Sequence, residues 1–146
     1  MAKKFTQGVY KFNNPDKYIG DHSKCVYRSS YELEMHQFLD NNSKVLRWGS
    51  EIVVVPYLKP TTGRIHRYFV DYYVEFVDKE GNFKCELIEV KPRSQTKAPR
   101  RSKTGKVPLY EKIQLAVNMA KWAAAKQYAG ERGWGWRVIT ERSIFK

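Results

Sequence analysis

The chain has 146 residues, 42% hydrophobic and 29% charged, which fits one domain with its own core and excludes a wholly disordered chain or a fibre. No apolar run approaches the roughly 18 residues a membrane helix needs, so no membrane partner is expected. The net charge of +12, from 27 Lys and Arg against 15 Asp and Glu, favours an anionic polymer as partner.

Residues 1–28 read as an irregular arm, with aromatics among basic residues and turn punctuation at "NNPDKYIGD". The opening "MAKKFTQGVYKF" has no apolar core of a signal peptide, which predicts no secretory leader. The arm either lies over the domain or contacts nucleic acid. Residues 29–146 read as a single domain. "SSYELEMHQFLDNN" predicts a first helix, because Ser29 and Glu32 fit a capping box and Tyr31, Met35, Phe38 and Leu39 form an apolar stripe. Glu34, beside Glu32, reads as a solvated carboxylate.

"EIVVVPYL" predicts a strand at an edge, since Pro56 cannot donate to a ladder. "RIHRYFVDYYVEFV" reads as one long strand, with His66, Tyr68, Val70, Tyr72, Val74 and Phe76 on one face. "DKEGN" turns the chain through about three residues and "FKCELIEV" returns it as a hairpin. The stretch 91–107 then reads as a basic loop. From Lys91 to Lys106 it holds seven Lys or Arg, no acid and no large apolar residue, and it suits phosphate contact. Pro108 opens a second helix with Ile113, Ala116, Val117, Ala120 and Ala124 buried and Gly130 at its end. "WGWRVIT" predicts a last strand. The order arm, α, β, β, β, loop, α, β implies an α/β fold with a mixed sheet flanked by helices. Cys25 and Cys85 match no zinc or disulfide pattern and read as reduced thiols of a cytosolic protein. His22, His36 and His66 have no mutual metal-site spacing, and Trp122, Trp134 and Trp136 read as core.

The hairpin raises a specific problem. With the turn centred on Glu80, Val77 meets Phe83 and Tyr73 meets Leu87. Asp71 then faces Glu89, with Phe69 opposite Lys91. Two like charges opposed across a ladder are destabilising, and burial makes them worse. A divalent cation between them, beside an ammonium, is the simplest compensation. Hard carboxylate oxygens with open water positions suit Mg²⁺. Beside a basic loop, Mg²⁺ points to phosphodiester chemistry, where it neutralises phosphate charge and acidifies a water. Lys91 is placed to orient that water or to stabilise the transition state.

Asp71, a hairpin, Glu89-Val90-Lys91 eighteen positions on, and Glu32 on an upstream helix together resemble the PD-(D/E)xK nuclease superfamily. The "ITE" strand after an Ala-rich helix is similar to the branch that holds the Tn7-type transposase endonuclease subunit. Overall the chain resembles the head-completion nucleases of T-even-like tailed phages. The likeness covers roughly residues 28–141. Val70 stands where the motif's name has proline, a position often aliphatic in the superfamily. The resemblance implies a restriction-endonuclease-like fold and a metal held by Asp71, Glu89, the Val90 carbonyl and Glu32, the last directly or through water. It implies Mg²⁺ with Mn²⁺ as substitute, Lys91 serving the attacking water, Gln114 assisting from the second helix, and products with 5′-phosphate and 3′-hydroxyl ends. Glu32 is also sufficiently explained as a capping residue.

Arg93, Lys97, Arg100, Arg101, Lys103 and Lys106 are the candidate nucleic-acid contacts. The leading expectation is a Mg²⁺-dependent DNA endonuclease of phage head completion and DNA packaging. Capsid or portal-neck proteins would be its partners, and the host cytoplasm during assembly, or the virion, its place. A non-catalytic DNA-end-binding or portal-associated structural protein on the same fold is the alternative, and an RNA-directed nuclease stays open.

Overall fold

A computed structural model describes residues 7–91, 105 and 108–140. Its centre is a four-stranded mixed sheet. In spatial order the strands are β3 (Val45–Ser50), β6 (Tyr72–Val77), β7 (Phe83–Val90) and β8 (Gly135–Ile139). β3 and β7 run antiparallel to β6, and β8 runs parallel to β7. A parallel neighbour needs a crossover, and α2 (Leu109–Glu131) lies between β7 and β8 in the chain. Alternate residues of the sheet face two cores. Tyr72, Val74 and Ile88 join a cluster with Met35, Leu39 and Trp48 on the side of α1 (Ser30–Asn41). Tyr73 and Leu87 join Val117, Ala125 and Ala129 of α2 on the other side.

The mixed sheet with helices is the fold class the sequence predicts, but one strand divides. "RIHRYFVDYYVEFV" forms β5 (Arg64–Phe69) and β6, separated at Val70 and Asp71. β5 leaves the main sheet and pairs antiparallel with β4 (Val54–Lys59), so Phe69 sits opposite Val54 and not opposite Lys91. The preceding chain bends at the same level. Glu51 takes a left-handed φ of 57°, and its N–H donates to the Asp71 carbonyl at 3.0 Å. This kink reverses which side chains face which core. Tyr68 and Val70 lie with α2, while Tyr72 and Val74 lie with α1, so the predicted single face is shared between the two. β3, absent from the predicted elements, fills the sheet beside β6. Its Gly49 leaves no room for a Cβ, which would come 2.4 Å from Ile52 and 3.0 Å from the Ile19 carbonyl.

The segment 8–27 pairs its ends as β1 (Gly8–Val9) and β2 (Val26–Tyr27) and buries Tyr10, Tyr18 and Cys25 against Trp48. Asp40, fully buried on α1, holds it. Its carboxylate accepts from the Tyr10 hydroxyl (2.8 Å) and from the Asn13 and Asn14 N–H groups (2.8 and 2.9 Å). Lys17 donates to the carbonyls of Asp40 and Asn42, which caps the C-terminal end of α1.

Both helices bury somewhat different faces from those predicted. In α1 Met35 and Leu39 are buried as expected, but Phe38 is exposed, and His36 and Asp40 complete the inner face. One Glu34 oxygen is buried without a partner among the described residues, where a solvated carboxylate was expected. In α2 Val117, Ala125 and Ala129 are buried, while Ile113 and Ala116 are exposed. The helix runs through Gly130, and the left-handed glycine follows at Gly133 (φ 72°). Both cysteines are free thiols, and the three tryptophans Trp122, Trp134 and Trp136 pack against the α2-side core.

Candidate active site

The hairpin register is the predicted one. Val77 pairs with Phe83 and Tyr73 with Leu87, and the Asp78 N–H bonded to the Asn82 carbonyl leaves three residues at the tip. The ladder ends at Tyr72 opposite Ile88, so Asp71 lies one residue beyond it. There its Oδ2 accepts from the Val90 N–H at 2.8 Å. Glu89 is 4% exposed, on the α2 side with Leu87, and its Oε2 accepts from the Tyr68 hydroxyl. The kink at Asp71 makes this second hydrogen bond possible, because it turns Tyr68 to the face that carries Glu89.

The two carboxyl groups lie near enough for the charge of Glu89 to act on Asp71. Burial first, and then the Glu89 charge, pushes Asp71 well above the usual carboxylate range, against the pull of the Val90 N–H and Lys91. A cation between the carboxylates would relieve the repulsion that raises Asp71. The donor set is two hard carboxylates, one oxygen of each already oriented by a fixed donor, and it fits a Mg²⁺-type ion that keeps several waters. Among the described residues no three His, Cys, Asp or Glu side chains converge on a metal-sized site.

Glu32 is held elsewhere. Its Oε2 accepts from the Arg28 N–H (2.8 Å) and the Ser29 hydroxyl (3.2 Å), while Ser29 Oγ accepts from the Glu32 N–H in return. The capping box therefore forms, with Arg28 in place of the N-cap amide. The Arg28 guanidinium lies 2.6 Å from Glu51 and 3.8 Å from Glu32, and Asp71 also acts on it electrostatically. Glu32 and Glu51 thus border the pair through Arg28. No hydrogen bond among the described residues joins Glu32 to Asp71 or Glu89.

Lys91 continues β7, its N–H donating to the Ile139 carbonyl at 2.9 Å. Gln114 is exposed on α2. Arg93, Lys97, Arg100, Arg101, Lys103, Lys106 and the "ITE" glutamate, Glu141, lie outside the described residues.

Two residues near the pair went unnoticed in the sequence. Tyr68 was hidden by the kink. Lys121 left a legible trace, a lysine four residues from Val117 and four from Ala125 on the face that α2 buries. Burial lowers its pKa, helped by Lys91 and Lys59 and opposed by Glu89 and Asp71.

The kinked hairpin thus presents a part-buried and a buried carboxylate, each held by a fixed donor, and a lysine at one strand end, in a mixed α/β fold of the kind nuclease domains use. The TnsA-like endonuclease N-terminal family matches residues 42–141, and the chain belongs to that family. It is also 35% identical over 142 residues to the head completion nuclease of Enterobacteria phage T4, covering 94% of this chain and 92% of the relative.

Proposed function

We propose that the chain is a Mg²⁺-dependent DNA endonuclease acting in phage head completion, with Mn²⁺ as a substitute ion. The observation that carries this proposal is the Asp71–Glu89 pair, a part-buried and a buried carboxylate at the end of one hairpin, each held by its own donor, with Lys91 next but one along the strand from Glu89. The name of the T4 relative supports the biological setting.

Asp71 and Glu89 would hold the ion, with the Val90 carbonyl as a further ligand and Glu32 joining directly or through water. Once bound, the ion supplies charge neutralisation at the phosphate and acidifies the attacking water. The protein's part is positioning. The Val90 N–H orients one oxygen of Asp71, and the Tyr68 hydroxyl orients one oxygen of Glu89. The Lys91 ammonium would donate to the attacking water or to a phosphoryl oxygen and stabilise the charge that builds there. Gln114 would assist from α2. Arg93, Lys97, Arg100, Arg101, Lys103 and Lys106 would hold the backbone near the pair without reading bases. Capsid or portal-neck proteins are the proposed partners, and host cytoplasm during assembly, or the virion, the proposed place.

The test is nicking of a supercoiled plasmid, with Mg²⁺ or with EDTA, by wild type and Lys91→Ala. Cleavage that needs Mg²⁺ and is abolished in the variant is expected. Equal cleavage by both proteins would overturn the assignment of Lys91. The employment of the Glu32 carboxylate in capping α1 favours a second reading, a DNA-end-binding protein without activity, and binding with no nicking in any metal would establish that reading instead.

A further inference from the structure

Lys121 occupies a place where α2 has use for an apolar residue. It sits midway along the helix between Val117 and Ala125, both buried, and lies over the β4–β5 ribbon. Its ammonium lies over the rings of Tyr57 (5.9 Å) and Tyr68 (5.6 Å). Tyr68 is the residue whose hydroxyl orients Glu89. Among the described residues no carboxylate comes within ion-pair distance of Lys121, although Asp71 and Glu89 act on it through space. Lys59 at the end of β4 and Lys91 at the end of β7 act on it as well, with like charge. Lys121 therefore sits beside the carboxylate pair, on the ring of the tyrosine that holds Glu89.

A part-buried ammonium with no ion-pair partner among the described residues is unfavourable without an anion. The carboxylates cannot be that anion once they hold a cation. A nucleic-acid phosphate meets the chemistry, being small, fully charged and an acceptor for a charge-assisted hydrogen bond from the ammonium. Resting on the nuclease function proposed above, we infer that Lys121 forms an anion subsite that takes one backbone phosphate of the nucleic acid beside Asp71 and Glu89. The aromatic floor of Tyr57 and Tyr68 fixes the ammonium laterally, so the lysine arrives preorganised. Lys121 is then a binding residue that anchors the strand on the α2 side of the pair, opposite the border formed by Arg28, Glu32 and Glu51.

The test measures affinity for a short random-sequence duplex at a fixed Ca²⁺ concentration across a sodium chloride series, for wild type, Lys121→Met and Lys121→Arg. Methionine keeps the volume and removes the charge. Each duplex phosphate that a variant no longer neutralises reduces the slope of log affinity against log salt by about 0.9. Lys121→Met is expected to show that reduction and to melt no lower than wild type, while Lys121→Arg keeps the wild-type slope. A folded Lys121→Met with the wild-type slope and affinity overturns the inference. Should that variant fail to fold, Lys121→Gln carries the same comparison. A plasmid assay in Mg²⁺ runs in parallel. Wild type that cleaves and binds while Lys121→Met is indistinguishable from it removes the subsite alone. Wild type that neither cleaves nor binds removes the nuclease function and the subsite together.

Discussion

Asp71→Asn isolates the cost of holding two carboxyl groups together without a metal. The asparagine keeps an oxygen for the Val90 N–H and deletes only the charge. Asp71 is raised in the folded state from an ordinary value of 3.8. A carboxyl group raised on folding binds its proton more tightly in the native state than in the unfolded one. Its stabilisation is complete below the unfolded pKa and is lost as pH rises toward the folded value. Metal-free wild type should therefore lose up to about 1.4 kcal/mol per pH unit relative to Asp71→Asn within that window. Between pH 5 and pH 7 the gap should widen by up to about 2.7 kcal/mol in favour of the variant. Urea denaturation of both proteins in EDTA at several pH values measures it, since other titrating groups cancel in the difference. Parallel stability curves for the two proteins would refute the strained pair. Added Mg²⁺ should stabilise wild type and leave the variant unmoved, because only a native state that binds the ion gains from it.

Glu32→Gln should leave the melting temperature within about a degree, because the amide still caps α1, and should lower cleavage at least tenfold; full activity would leave Glu32 with the capping role alone. His36 is fully buried, its Nε2 bonded to the Val26 carbonyl and its Nδ1 to the Tyr72 hydroxyl, and burial depresses its pKa to about 4. Its stabilisation is complete above pH 6.5 and should be lost on acidification toward pH 4, by up to about 3 kcal/mol; a His36→Gln variant with the same acid limb would contradict this. Asp40→Ala strands the Tyr10 hydroxyl and two backbone N–H groups and should cost about 3 kcal/mol or more by chemical denaturation. Replacing Arg100, Arg101 and Lys103 by alanine should flatten the salt slope of duplex binding by up to about three units, with Mg²⁺ affinity unchanged; an unchanged slope would transfer the DNA contact to the segment 1–28.

The carboxylate pair was legible in the sequence because a hairpin with a short, Asp- and Gly-marked turn leaves little freedom of register. Val77 opposite Phe83 then carries the alignment down to Asp71. The kink was not legible. Periodicity continues unbroken through "RYFVDYYVEF", and only the tertiary pairing of Val70 with Val53 and of Glu51 with Asp71 bends the ribbon there. Everything that depends on the kink was illegible with it, including the hydrogen bond from Tyr68 to Glu89. β3 was missed because "VLRWGS" mixes exposed and buried positions without clean alternation, Leu46 and Arg47 both facing outward. In α1, Asp40 and His36 are polar residues on the inner face, so an apolar stripe passed over them and took exposed Phe38 instead.

The most direct measurement of the carboxylate site is Mn²⁺ binding followed by electron paramagnetic resonance, for wild type, Asp71→Asn, Glu89→Gln and Lys91→Ala. Mn²⁺ stands in for Mg²⁺, and binding is read without reference to cleavage. Wild type and Lys91→Ala should bind the ion alike, and each carboxylate variant should bind at least tenfold more weakly. Wild-type affinity in Asp71→Asn and Glu89→Gln would contradict a metal held by the pair.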